Sequence, residues 1–204
     1  KTVLIATGGD RKKVDIPGAK EFEHKGVVYC ASCDGPLFSG MDVAVIGGGN
    51  AGMETAAQLL AYCKSVAIVH RSPAFKADEI TVEKVLVHAN VSAHLSTTPT
   101  RVIGNTFVEG LEVEDSQTKE KRVLPVSGIF VEIGMMPSTS LVEGLVALDE
   151  YKRVIVDPRR QRTSVLGIWS AGDCTNELYH QNNIAAGDGV KAIEDIYQFV
   201  RTGK

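Results

Sequence analysis

The hydrophobic pattern of this chain switches repeatedly between a strand period and a helix period. Residues 43–46 are a short β-branched run, followed at once by Gly47-Gly48-Gly49-Asn50-Ala51-Gly52. Beyond it, Met53, Ala56, Ala57 and Leu60 recur at i, i+3, i+4 and i+7, which predicts a helix with one apolar face against a sheet. Residues 66–69 predict the next strand, and residues 77–88 have helical composition and length. Residues 2–7 (TVLIAT) read as a strand entering a core. Strand, glycine turn and helix in alternation predict an α/β fold, with a parallel sheet wrapped by helices.

The middle third changes character. Leu111, Glu112, Val113 and Glu114 alternate with period two, residues 116–119 supply a polar turn, and residues 123–126 return. That pattern predicts an antiparallel hairpin inserted in the α/β unit. Residues 128–133 (GIFVEI) then form a continuous apolar strand, ended by Gly134 and, three residues on, by Pro137, where another segment of the chain's organisation begins. Residues 154–156 and 167–169 predict two more short strands. Val190, Ile193, Ile196, Tyr197 and Val200 mark one face of a C-terminal helix.

Composition narrows the function classes. The 204 residues are 44% hydrophobic, enough for one to two domains with a sizeable core. Twenty-two Lys and Arg against 25 Asp and Glu leave a net charge of −3 with no basic block, so nucleic acid is not an expected partner. No apolar run approaches the roughly 18 residues of a membrane span, and the first residues lack a signal pattern. The chain starts at Lys1 without Met and inside a strand, so it is expected to be a fragment of a larger protein.

Gly47, Gly49 and Gly52 have GxGxxG spacing between a strand and a helix, where the motif has physical meaning. The first glycine permits the tight turn, the second admits a pyrophosphate to the backbone, and the third allows close strand–helix packing. The helix N-terminus then presents free N–H groups to the phosphates. An acid at the end of the next strand would bind the ribose 2′-hydroxyl of NAD, but here stand His70, Arg71 and Ser72, with Lys76 beyond. Arg71 and Lys76 suit a 2′-phosphate, favouring NADPH; the alternative is a solvated basic turn.

Cys30-Ala31-Ser32-Cys33 is the second constellation. Its spacing allows a small disulfide ring and thiol exchange, with half a zinc site or two inert buried thiols as alternatives. No second CxxC or HxxxH completes a tetrahedral metal site, so no metal is expected. Asp34 follows directly and suits a general acid beside a dithiol, or else a cap or turn. Ala171-Gly172-Asp173-Cys174 follows a strand, and such an acidic turn can hydrogen-bond a sugar hydroxyl. Cys63 and Cys174 read as packing residues. His180, Gln181 and Asn182 are either a ligand-facing loop or the cap of the last helix.

Taken together and in order, Ala6-Thr7-Gly8, the Cys30–Cys33 motif with Asp34-Gly35, Gly47 to Gly52, His70-Arg71, Gly134 with Pro137, and Gly172-Asp173 followed by Tyr179-His180-Gln181 resemble the low-molecular-weight thioredoxin reductase and alkyl hydroperoxide reductase flavoprotein family, over essentially the whole chain. The resemblance implies a Rossmann-like NADP(H)-binding domain at residues 12–129 that carries the CxxC motif. Residues 1–11 and 130–204 then correspond to part of an FAD-binding domain. It implies electron flow from NADPH through FAD to Cys30 and Cys33, and on to a protein disulfide such as that of thioredoxin. In that scheme Cys33 is the flavin-proximal thiol, Cys30 attacks the partner, and Asp34 donates the proton.

The resemblance also implies that Asn50, Ala51, Glu54, Ile133 and Gly134 join the glycines in holding the dinucleotide. Gly172, Asp173, Gln181 and Asn182 are implied to contact FAD. Family members are cytoplasmic homodimers. Departures point the other way: Ser72 and Lys76 stand where the NADPH signature has arginines, and residues 33–38 are closer to the peroxide reductase branch, which tends to use NADH. The chain has one GxGxxG where the family has two, so it is expected to bind NADPH and to hold FAD poorly or not at all. An NADH-dependent peroxiredoxin reductase core, or an NADP(H)-binding fragment without turnover, are the alternative functions.

Overall fold

The computed structural model describes residues 1–203. In chain order the elements are β1 (Val3–Ile5), β2 (Gly9–Arg11), β3 (Val27–Val28), α1 (Ala31–Asp34), β4 (Asp42–Ile46), α2 (Asn50–Leu59), β5 (Ser65–Val69), α3 (Glu79–Leu86), β6 (Val91–His94), β7 (Thr97–Gly104), β8 (Val108–Asp115), β9 (Lys121–Leu124), β10 (Gly128–Val131), β11 (Met135–Pro137), β12 (Ile168–Ser170) and α4 (Asn182–Thr202). They divide into two compact units, Arg11–Gly134 and a second made of Lys1–Asp10 with the chain from Met135 onward.

In the larger unit five strands form a parallel sheet in the order β3-β10-β4-β5-β6. Because strand side chains alternate, β4 sends Val43 and Val45 to one face and Ala44 and Ile46 to the other. Val66 and Ile68 share the first face with Met53, Ala56 and Leu59 of α2 and Val85 of α3. Ala67, Val69, Ile129 and Val131 share the second with Leu111, Val113 and Leu124. A parallel sheet buried on both faces explains why these strands are apolar without alternation.

The middle third is a three-stranded antiparallel sheet, β7-β8-β9, rather than the two-stranded hairpin its pattern predicts. The missing strand is β7, where Pro99 sits at a register shift and interrupts the alternation. The helix face of α2 is also rotated from its expected position: Leu59 is buried, whereas Ala57 is exposed and Leu60 only half-buried.

In the smaller unit β1 pairs in parallel with β12, and β2 pairs with β11 in the antiparallel sense, with Ser138 N–H donating to the Gly8 carbonyl beyond the strand ends. Residues 154–156 make an isolated bridge at Val154 rather than a strand. Ile5, Val142, Val146, Val154, Val156 and Cys174 form one small core, and Trp169 and Ala171 pack on Ala192, Ile196 and Phe199 of α4. Val190, Ile193, Tyr197 and Val200 do share a face of α4, but it is the exposed one. Asp195 holds α4 to the loop before β12 by accepting hydrogen bonds from Trp169 Nε1 (2.9 Å) and the Arg162 guanidinium.

Candidate functional site

The turn from β4 to α2 is set by close backbone approaches. Gly47 has φ +132°, and a Cβ there would stand 2.1 Å from the Glu132 carbonyl oxygen; one at Gly52 would stand 2.2 Å from the Gly47 carbonyl oxygen. Both positions therefore exclude a side chain. Gly49, the N-cap of α2, is different: no protein atom lies within 4 Å of where its Cβ would be. Its backbone opens onto space in front of the helix N-terminus, where free N–H groups and the dipole favour an anion.

That space is the mouth of a cleft of about 530 Å³. Gly47, Gly49, Asn50, Ala51, His70, Arg71, Lys76, Ile133 and Gly134 all line it. Gly52 and Glu54 do not; Gly52 packs behind the turn, and Glu54 is exposed on α2. Lys12, Thr97, Thr98 and Glu132 also line the cleft, although no motif in the sequence marks them. The cleft has two wings on either side of the β4 end, since β10 and β5 flank β4 on opposite sides.

One wing of the cleft is the loop after β5. It is tied to the glycine turn twice: Lys76 N–H donates to the Gly48 carbonyl (2.8 Å), and Asp78 N–H donates to Asn50 Oδ1 (2.8 Å). Asp78 then caps α3 by accepting from Thr81 N–H. His70 is buried and stacks on Phe75 at 5.9 Å between ring centroids, and Gly48 leaves room for both rings. Burial pushes the pKa of His70 down, with Lys76 and Arg71 acting the same way against the Ala74 backbone, so the imidazole is a neutral support. Arg71 and Lys76 are exposed, and no acidic side chain lines this wing.

Glu132 stands in the opposite wing, immediately after β10. Its side chain is only 6% exposed. Thr55 Oγ1 of α2 donates to Oε1 at 2.9 Å, and Arg11 pairs with Oε2. Burial raises its pKa, opposed by the Thr55 hydrogen bond and the Arg11 charge, with Glu54 adding a smaller upward push.

The two sulfurs of Cys30 and Cys33 are joined in a disulfide, with Cα atoms 5.3 Å apart. Cys30 is half-buried, Cys33 is exposed, and Cys33 N–H donates to Cys30 Sγ at 3.2 Å. Asp34 makes no capping hydrogen bond with its carboxylate. None of the three lines the cleft. Cys63 and Cys174 are free and buried; burial raises the Cys63 thiol to about 11, which makes it inert.

In the smaller unit Gly172 and Asp173 lie in a turn of 3₁₀ helix after β12, and Gln181 is the N-cap of α4, with Asn182 its first residue. Gly172 has φ +76°, and its position for a Cβ is 3.2 Å from Ala185 Cβ, so the turn sits on the first turns of α4. Among the described residues no cluster of His, Cys, Asp or Glu has the makings of a metal site, and no helix is long and apolar enough to cross a membrane.

Residues 1–189 match the family model for pyridine nucleotide-disulphide oxidoreductases. A protein named NADH dehydrogenase from Bacillus subtilis is 38% identical over 200 residues, which is 98% of this chain and 39% of that protein. An F subunit of alkyl hydroperoxide reductase, from Staphylococcus epidermidis, is 40% identical over the same shares. The chain thus spans about two fifths of the length of these curated relatives. Among solved structures, thioredoxin reductase from Lactococcus lactis superposes with a TM-score of 0.90 at 32% identity, covering 98% of this chain and 66% of that one. Thioredoxin reductase from T. acidophilum gives 0.89 at 35% identity, covering 99% and 66%.

Proposed function

Because the chain belongs to the pyridine nucleotide-disulphide oxidoreductase family, we propose that it is the NADPH-binding and dithiol-bearing portion of a thioredoxin reductase-like flavoprotein. The observation that carries the proposal is the cleft in which the Gly49 backbone, the α2 N-terminus and the exposed pair Arg71 and Lys76 face one space. Those residues fit a dinucleotide bearing a 2′-phosphate. Asn50 and His70 keep the two ends of that wing in register, and Ile133 and Gly134 border the other.

The chemistry the cofactors supply when bound is hydride from NADPH and its relay through FAD. The chain's own part is the Cys30–Cys33 couple, which takes up two electrons and two protons to become a dithiol. Cys33 is the exposed sulfur and is assigned to the flavin side. Cys30 is assigned as the thiol that attacks a partner disulfide, because the Cys33 N–H already aimed at its sulfur stabilises a thiolate there. Asp34, uncommitted to a cap, is assigned as the proton donor. Gly172, Asp173, Gln181 and Asn182 are assigned to FAD in the smaller unit, and the limit of the nucleotide domain, expected from the sequence at residue 129, is moved to Gly134 because β10 runs through Val131 inside its sheet. The working enzyme is proposed to be a cytoplasmic homodimer acting on thioredoxin-like proteins.

The test is a titration of the purified chain with NADPH and NADH, followed by anaerobic addition of NADPH with FAD present. The proposal expects NADPH to bind more tightly than NADH and FAD to be held weakly, with bleaching of visible absorbance and new thiols at Cys30 and Cys33, by alkylation and mass, confined to the fraction that retains flavin. Absence of dinucleotide binding overturns it. A strong NADH preference favours instead a peroxiredoxin reductase core, the reading supported by the relatives named for alkyl hydroperoxide reductase.

A further inference from the structure

A buried carboxylate beside a ligand cleft is costly unless something uses its charge. Glu132 is such a group, and dinucleotide binding itself makes plain where it stands. With the pyrophosphate at the α2 N-terminus and the adenosine ribose at the end of β5, the second nucleoside must lie over the end of β10, across β4. That wing holds Glu132, Ile133 and Gly134.

Thr55 and Arg11 each engage one oxygen of the carboxylate, which fixes its orientation while leaving lone pairs on both oxygens. The other charges near the carboxylate are more open to water. Arg11 is 47% exposed, and Lys12 and Glu54 are exposed, so solvent screens them more than it screens Glu132.

We infer that Glu132 is a redox-state discriminator for the nicotinamide: a fixed, desolvated negative charge that favours the cationic ring of the oxidised dinucleotide over the neutral ring of the reduced one. The inference rests on the proposed dinucleotide function of the cleft. By linkage, a site that prefers the oxidised form makes the bound reduced form the stronger hydride donor. It assigns the two wings separate tasks, with Arg71 and Lys76 reading the phosphate and Glu132 the charge state of the ring.

The experiment measures dissociation constants of NADP⁺, NADPH and 2′,5′-ADP, which lacks the nicotinamide, for the chain as it stands and for Glu132→Gln and Glu132→Asp. The expected result is that Glu132→Gln weakens NADP⁺ about five- to tenfold relative to NADPH, as one screened charge contact predicts, while 2′,5′-ADP is unchanged. Glu132→Asp, which keeps the charge, should retain most of the preference even if Glu132→Gln folds poorly. An unchanged ratio of NADP⁺ to NADPH affinity in Glu132→Gln overturns the inference, as does an equal loss for all three ligands. Failure of the unmodified chain to bind any of the three overturns the dinucleotide reading on which the inference stands.

Discussion

Thr55 and Glu132 lie 77 residues apart in sequence and meet in a 2.9 Å hydrogen bond that joins α2 to the end of β10. The bond opposes, without cancelling, the effect of burial on the carboxyl, whose pKa stays above its ordinary value. A carboxyl that binds its proton more tightly in the folded chain than in the unfolded one lends stability in acid, and loses that contribution as pH rises through its folded pKa. Glu132→Gln, which does not titrate, should therefore gain stability relative to the unaltered chain as pH rises above the ordinary carboxyl range of about 4. Urea unfolding of both proteins across this rise in pH measures it, and a difference independent of pH would refute the burial argument.

Gly49 and Gly52 should separate binding from folding. Gly49→Ala meets no protein atom and changes only an N-cap, so stability should fall by no more than about 1 kcal/mol while dinucleotide affinity drops at least tenfold. Gly52→Ala pushes a methyl against the Gly47 carbonyl and should cost about 3 kcal/mol or more. Thermal melts set beside NADPH titrations test both, and equal loss of stability in the two variants would count against the reading of the turn.

Arg71→Ala should weaken NADPH by about tenfold or more, the worth of one charge-assisted hydrogen bond, and leave NADH nearly unaffected. Since Arg71 and Lys76 are exposed, the NADPH preference should also shrink as salt is raised. Titrations at two ionic strengths decide it; equal weakening of both cofactors would mean that Arg71 acts on the fold of the loop.

How far the fold was readable depended on whether a residue's neighbours are close in sequence. The strand, glycine turn and helix around Gly47 were legible because one backbone segment carries the whole motif, and the disposition of Arg71 and Lys76 followed from it. Glu132 was not, because GIFVEI reads as a buried strand and the partners that explain its acid, Thr55 and Arg11, come from distant segments. β7 was hidden by Pro99. The face of α4 bearing Val190, Ile193 and Tyr197 shows the limit of periodicity: it marks an apolar stripe and not what covers it.

The cysteine assignments predict an asymmetric trap. In Cys33→Ser, Cys30 stands as a free thiol and should attack the disulfide of an oxidised thioredoxin-like protein, expelling one partner thiolate and accumulating the mixed disulfide because the resolving thiol is gone. Cys30→Ser should accumulate little. Non-reducing electrophoresis reads the adduct, and the opposite pattern would exchange the two roles.

The tethering of the β5 loop to the glycine turn has a consequence for descent. Lys76 N–H to Gly48 and Asp78 N–H to Asn50 hold that loop by its backbone, and His70 and Phe75 hold it from beneath. The side chains at positions 71, 72 and 76 are left with little or no part in the packing. Cofactor preference can thus drift between lineages by replacing surface letters on an unchanged mount, and relatives of different coenzyme habit can share one architecture.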